Sequence, residues 1–285
     1  TDRFHLQEKL GIGGMSTVWR ASDNQCGQTV ALKAVHCGHS DKSGRLQREF
    51  AYLSALSHSG IVTPYELHRE ACFWFFTMEL VEGLDWLLHA RFGPQIGGNA
   101  AESCDARPAS ASVLSRALTS REQFDRLRRT LIQLVDTLEY LHVQGIVHCD
   151  VKPSNVLVTP RERVVLIDFG LTCTAERRQP QSPSDVRRVG TIAYMAPELA
   201  DFTEPSAAID WYAIGVMLYE AMAGRPPYCG TFDEIMAAKQ RGEPLDIRDT
   251  GHDVPEDLAG VCMNLLQADP KRRPSGEALR KALAH

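Results

Sequence analysis

The chain changes its hydrophobic period once, and that change limits the architectures open to it. Up to about residue 80 the apolar residues fall in short β-prone runs bounded by Gly, Asn or Ser: Phe4 to Leu10, Thr17 to Ala21, Thr29 to Val35, Ile61 to Leu67 and Cys72 to Leu80. One stretch interrupts them. Leu46, Phe50, Leu53 and Leu56 recur at steps of three and four, which predicts an amphipathic helix over 45–57. Later the helical period takes over, as Phe124, Leu127, Leu131, Leu134, Leu138 and Leu141 run through one long helix. Helical patterns continue to the end, broken by a loop-rich stretch at about 148–200. The expected plan is a small strand-rich N-terminal part and a larger helical C-terminal part, with no internal repeat.

Between the two, residues 93–120 differ in texture. Sixteen of these 28 residues are Gly, Pro, Ala or Ser, and only Ile96, Val113, Leu114 and Leu118 are large aliphatics. That is too little to build a core, so the segment reads as a mobile loop or insertion.

Composition narrows the function classes. With 31 Lys plus Arg against 36 Asp plus Glu, the 285-residue chain has a net charge of −5, which argues against a nucleic-acid binder working mainly by electrostatics. No apolar run is long enough for a transmembrane helix. The eight cysteines are scattered without a C-x-x-C pair and read as reduced thiols of a cytoplasmic protein. Cys37-Gly38-His39 has no second ligand pair at a spacing that suits zinc. The chain opens on Thr1, not Met, and so reads as a segment of a longer protein.

Chemistry-bearing residues then follow in order. Gly11-Ile12-Gly13-Gly14-Met15-Ser16-Thr17-Val18 lies between the first two strands, where glycines let backbone approach phosphate; alone it could equally be a turn. Val30-Ala31-Leu32-Lys33 sets one lysine on an apolar strand. Glu49, sixteen residues on, lies in the predicted helix on a different face from the Leu46/Phe50/Leu53 stripe: either a solvated surface residue or the partner that holds Lys33 against a nucleotide's phosphates. His148-Cys149-Asp150-Val151-Lys152-Pro153-Ser154-Asn155 is followed by Asp168-Phe169-Gly170. Asp150, Lys152, Asn155 and Asp168 offer one base, one cation and two hard oxygen ligands, a set suited to phosphoryl transfer.

Taken together, these motifs make the sequence resemble the eukaryotic-type protein kinase family, in wording most like its bacterial Ser/Thr members, over nearly the whole chain. The family's order is a Gly-rich loop, V-A-I-K, a helix Glu, H-R-D-x-x-x-x-N, D-F-G and A-P-E. Ala196-Pro197-Glu198 supplies the last, preceded by Gly190-Thr191-Ile192-Ala193-Tyr194-Met195 and followed by Asp210-Trp211, Gly215, Asp269-Pro270 and Arg273-Pro274. The resemblance implies an α+β, bilobal protein-kinase fold: a small antiparallel β-sheet lobe with one key helix over residues 1–82, and a mainly α-helical lobe over 83–285.

It also implies roles. Gly11, Gly13, Gly14, Met15 and Ser16 would cover the phosphates of ATP, and Lys33, paired with Glu49, would bind them. Val18, Ala31 and Leu157 would sandwich the adenine, with Met78 behind it and Glu79 to Val81 as the hinge. Asp150 would be the catalytic base and Lys152 would neutralise the γ-phosphate, while Asn155 and Asp168 would hold Mg²⁺ or Mn²⁺. Leu53, His148, Phe169 and Asp210 would stack, and Glu198 would pair with Arg273. Lys152 and Thr191 are the types used for Ser or Thr acceptors, and the segment from Gly190 to Glu198 would carry a peptide substrate. The implied partner is a protein with Ser/Thr acceptors, including this chain itself through autophosphorylation.

Two positions depart from the pattern. Ser16 stands for the third Gly, a small change. Cys149 stands for the Arg of H-R-D, which in much of the family pairs with a phosphate on the activation segment. Cys cannot form that pair, so dependence on phosphorylation of Thr172, Thr174, Ser182 or Ser184 is not expected in the usual way. A thiol beside the base could instead be a redox switch, which requires a low pKa and exposure. Arg177, Arg178, Arg187 and Arg188 form either a solvated rim or a docking surface for acidic substrate. The alternatives to an active protein kinase are a pseudokinase that binds nucleotide or a partner, and a small-molecule kinase.

Overall fold

The computed structural model describes residues 2–12, 16–36, 40–94, 116–174, 192–201, 204–242 and 244–283. Its N-terminal part is an antiparallel sheet of β1 (Phe4–Ile12), β2 (Thr17–Asp23), β3 (Gln28–His36), β4 (Pro64–Glu70) and β5 (Phe73–Met78), in the order β1-β2-β3-β5-β4, with one helix, α1 (Ser40–Ser54). Side chains alternate across β3 with period two. Val30 and Leu32 join Phe4, Ala21 and Phe75 in a small outer core, whereas Ala31 and Val35 enter the main core with Leu46 and Leu53 of α1. Lys33 lies between Ala31 and Val35 in that alternation, so the strand delivers its one charge to the side where α1 packs.

Two elements differ from the sequence reading. The helix α1 starts at Ser40, not 45, and ends at Ser54, where Ala55 N–H bonds the Tyr52 carbonyl and Leu56 N–H that of Leu53, tightening the last turn ahead of Gly60. Strand β4 begins at Pro64, not Ile61. A proline has no N–H to give a ladder and suits the first position of a strand. Ile61 instead makes an isolated parallel bridge to Leu166, and Leu166 N–H bonds the Gly60 carbonyl at 2.8 Å, stitching this linker to the C-terminal part.

The C-terminal part is helical: α2 (Trp86–Phe92), α3 (Arg121–Val143), α4 (Ala207–Ala223), α5 (Phe232–Arg241), α6 (Glu256–Leu265) and α7 (Gly276–Leu283). Short strands β6 (Leu84–Asp85), β7 (Ile146–Val147), β8 (Val156–Val158), β9 (Val164–Leu166) and β10 (Cys173–Thr174) carry the loops. A capping box between Ser120 and Gln123 starts α3, and its Leu127, Leu131, Leu134, Leu138 and Leu141 stripe is fully buried. Helix α4 is apolar almost all round and forms the hub. The architecture is therefore α+β and bilobal, as the motif order implies. Among the described residues no helix is long and apolar enough to cross a membrane.

Most of the 93–120 segment (95–115) lies outside the described residues. Its C-terminal end belongs to the core after all: Leu118 is 1% exposed and its N–H bonds the Ala221 carbonyl, while Arg91 Nε bonds the Arg116 carbonyl. One leucine suffices there because α4 supplies the rest of the packing.

Gly215 marks a tight helix crossing. A Cβ added there would stand 2.8 Å from Leu265 Cβ on α6, an atom fixed to its backbone. Ala is the better helix former by ~1 kcal/mol, but overpacking costs ~1–3 kcal/mol, so the clash prevails. Gly215→Ala is expected to lower the denaturant midpoint of unfolding, and an unchanged or raised midpoint would show that α6 yields.

Candidate active site

The centre is built on β3, α1, the loop after β7 and the loop after β9. Lys33 Nζ donates to Glu49 Oε1 and Oε2 at 2.6 and 2.7 Å, and to Asp168 Oδ1 at 2.9 Å. Burial alone would lower the Lys33 pKa, but the two carboxylates outweigh it and hold the ammonium above its ordinary value. Lys33 in turn outweighs the partial desolvation of Asp168 and keeps that carboxyl well below its usual range. Glu49 also accepts the N–H of Phe169 at 3.0 Å, tying α1 to the loop.

Here the sequence reading of Glu49 is corrected. It does not lie on a different face from the leucines: it follows Leu46 by three residues and precedes Leu53 by four, which puts it beside them on the same side of the helix. It is only 4% exposed. A carboxylate on the edge of an apolar stripe is stable there because Lys33 and a backbone N–H satisfy it.

A second cluster surrounds Asp150. Its Oδ2 accepts Lys152 Nζ at 2.7 Å and Asn155 Nδ2 at 3.0 Å, and its backbone carbonyl accepts the same amide at 2.9 Å. Asp150 Oδ1 is buried with no hydrogen-bond partner among the described residues. Burial raises the Asp150 pKa, with Lys152 opposing. Because both partners of the Asn155 amide are acceptors, the side chain must turn its nitrogen to Asp150 and keep its oxygen for another ligand. That oxygen and the Asp168 carboxylate, which is 46% exposed, are the hard donors that could hold a cation here. Among the described residues no group of three or more His, Cys, Asp or Glu could cage a metal. Two oxygen donors therefore fit an ion such as Mg²⁺, which keeps waters and shares substrate phosphates rather than filling an all-protein cage.

The loop geometry is strained and anchored. Cys149 and Asp168 hold φ of 64° and 63°, a left-handed backbone uncommon for such residues. Asp210 on α4 restrains the first, accepting the N–H groups of His148 and Cys149 at 2.9 Å each, with His142 Nε2 at 2.8 Å from its Oδ2. The His148 ring meets Phe169 edge-on at 4.9 Å, and Leu53, His148, Phe169 and Asp210 are all buried. Arg273 pairs with Glu198 through both Nη atoms, at 2.6 and 2.8 Å.

Cys149 faces a residue the sequence reading did not connect with it. The thiol of Cys173, on the strand paired with β7, is the main influence pushing the Cys149 pKa well up, and burial adds to it. The same contact holds the Cys173 thiol below its ordinary pKa, so the two thiols titrate as a pair.

The remaining expected nucleotide contacts lie on the strands of the sheet and on β8, or directly beside them. Val18 pairs across the ladder with Lys33, and Ala31 with Met78, the last residue of β5. Leu157 sits on β8 opposite Val165 and Asp85. Glu79 N–H bonds the Thr63 carbonyl, its side chain meets Arg163, and Val81 is partly buried. Gly11 faces Val18 near the end of β1, and Ser16 precedes β2. Gly13, Gly14, Met15 and Thr191 lie outside the described residues, as do Cys37, His39, Ser182, Ser184 and the four arginines at 177, 178, 187 and 188.

Comparison with known proteins gives this arrangement its context. A family model described as a protein kinase domain matches residues 4–285. The chain is 35% identical over 288 residues to the DNA damage-responsive serine/threonine-protein kinase RqkA of Deinococcus radiodurans, covering 99% of this chain and 39% of that protein. It is 31% identical to the serine/threonine-protein kinases PkaA of Streptomyces coelicolor (99% of this chain, 49% of that protein) and PknA of Mycobacterium tuberculosis (85% and 52%). The chain thus spans about half or less of the length of these relatives. A sheet lobe over a helical lobe, a lysine bridging two carboxylates between them and a match from residue 4 to the end lead to one conclusion: this chain belongs to the protein kinase domain family.

Proposed function

We propose that this domain transfers the γ-phosphoryl group of ATP to Ser or Thr hydroxyls of proteins. The observation that carries the reading is the asymmetry of Asp150: one carboxylate oxygen is held by Lys152 and Asn155, and the other is buried with no partner among the described residues. An acceptor hydroxyl donating to Oδ1 would be oriented for attack and could give up its proton there. Lys33, fixed by Glu49, binds the nucleotide's phosphates, and Lys152 offsets charge on the transferred group. A divalent ion, Mg²⁺ or Mn²⁺, held by Asn155 and Asp168 would draw off negative charge from the phosphates. Catalysis then rests on positioning and charge, with no covalent enzyme intermediate. The segment ahead of Ala196-Pro197-Glu198 supports the acceptor chain. The names of the relatives support Ser/Thr over Tyr, and six free thiols among the described residues suit a cytoplasmic setting.

Cys149 makes the reading more specific. The catalytic loop has no arginine at this position to meet a phosphate on the activation segment, and it is already anchored through Asp210. Phosphorylation of Thr172, Thr174, Ser182 or Ser184 is therefore not required for activity. The test incubates the domain with Mg-ATP and dephosphorylated casein and identifies the phosphorylated amino acids. Phosphoserine or phosphothreonine is expected, both from the wild type and from the variant with all four hydroxyl residues changed to Ala. Phosphotyrosine alone would overturn the acceptor class, and an inactive four-Ala variant would overturn the independence from phosphorylation.

A further inference from the structure

Lys239 on α5 is 1% exposed, although lysines ordinarily keep their charged end in water. Its Nζ donates to the carbonyls of Ile192, Ala193 and Met195 at 2.8, 2.7 and 2.6 Å. An ammonium has three donors, and all three are used. These carbonyls belong to one tight turn, closed by Met195 N–H on the Ile192 carbonyl at 3.3 Å. Three carbonyl oxygens crowded toward one point repel each other unless a cation stands among them. Burying a charge costs more than burying an apolar side chain, so fold stability alone would favour Met or Leu here.

We infer that Lys239 is a positioning residue for the protein acceptor: from beneath, its ammonium gathers the backbone of residues 192–195 and fixes the surface on which the acceptor chain is held. The inference rests on the kinase reading and deepens it by naming what shapes that surface. Among the described residues the charged and titratable groups around Lys239 are few. The Tyr212 ring of α4 lies 5.3 Å from its Nζ and also carries the Arg273 guanidinium at 4.8 Å. Arg273 is committed to Glu198, and Tyr194, within the gathered turn, donates to Glu220 at 2.5 Å. Burial pulls the Lys239 pKa down to about 7, with Glu198 opposing. Above that pH a neutral amine has two donors for three carbonyls, so the turn loosens as pH rises.

The test compares wild type with Lys239→Met, which keeps length and burial, and Lys239→Arg, which keeps donors and charge. Hydrogen exchange, which needs no activity, is expected to quicken in residues 192–199 of the Met variant while 148–156 stay as in wild type. Unmade hydrogen bonds of this kind correspond to a loss of about tenfold or more, expected in KM for dephosphorylated casein with KM for ATP unchanged. The wild-type KM for casein should rise as pH passes 7, the Met variant should be high throughout, and the Arg variant should recover part of the loss without the pH step. Unchanged exchange in 192–199 would overturn the inference whether or not the domain proves to be a kinase. So would a KM for casein that does not move, or one that moves in step with KM for ATP. A wild type that transfers no phosphate would defeat the kinase reading and, with it, the substrate role, leaving the exchange result to decide the structural strut.

Discussion

Asp150→Asn is expected to lower kcat by about a thousandfold, within the range that a general base supplies. Asn keeps the size of Asp and can still accept from Asn155 and Lys152, so the loop holds its shape and KM for ATP should change little. What disappears is the proton acceptor at Oδ1. The pH profile gives an independent check. Burial raises the Asp150 pKa, and the group must be ionised to act, so wild-type activity is lost as pH falls through that raised value. The acid limb should therefore lie higher than an ordinary aspartate would put it, and the residual activity of the Asn variant should lack it. A variant that keeps a tenth or more of the wild-type rate would remove Asp150 from the chemistry.

Lys33→Met is expected to fail twice, in activity and in stability, and the two losses can be separated. Lys33 is the shared partner of Glu49 and Asp168. Removing one member of a buried ion pair costs about 3–5 kcal/mol because the other charge is left unpaired. Glu49, whose pKa burial raises and Lys33 holds back, would take up a proton. Loss of one preorganised charge on the reacting group costs a further 10²–10³-fold or so in rate. Adding Glu49→Leu to Lys33→Met removes the stranded carboxyl, so thermal stability should return toward wild type while activity stays lost. If the double variant regained activity, the lysine would have no role beyond satisfying Glu49.

How far these residues were legible in the sequence depended on distance along the chain. Local signals read well: Lys33 on its strand, the stripe of α3, and the Asp150 to Asn155 spacing, which the structure gathers into one hydrogen-bonded cluster. Only the face of Glu49 reads differently: its pairing with Lys33 follows from the motif order, but the pattern sets it apart from the leucine stripe that it in fact adjoins. Leu118 reads as loop because the element that covers it, α4, comes from across the fold. The pairing of Cys149 with Cys173 and the placement of Lys239 left no local mark. A lysine in an amphipathic helix reads as surface, and only the turn at 192–195, more than forty residues away, gives its charge a buried home.

The central claim is phosphoryl transfer by the Asp150 site, and the intact mass of the purified domain before and after Mg-ATP tests it most directly, with Asp150→Asn treated alongside. The account predicts steps of about 80 Da, one per phosphate, in the wild type and none in the variant over the same time. Equal steps in both proteins would contradict it by placing the chemistry elsewhere. No step in a wild type that binds Mg-ATP, and none on added casein, would contradict it in favour of a pseudokinase.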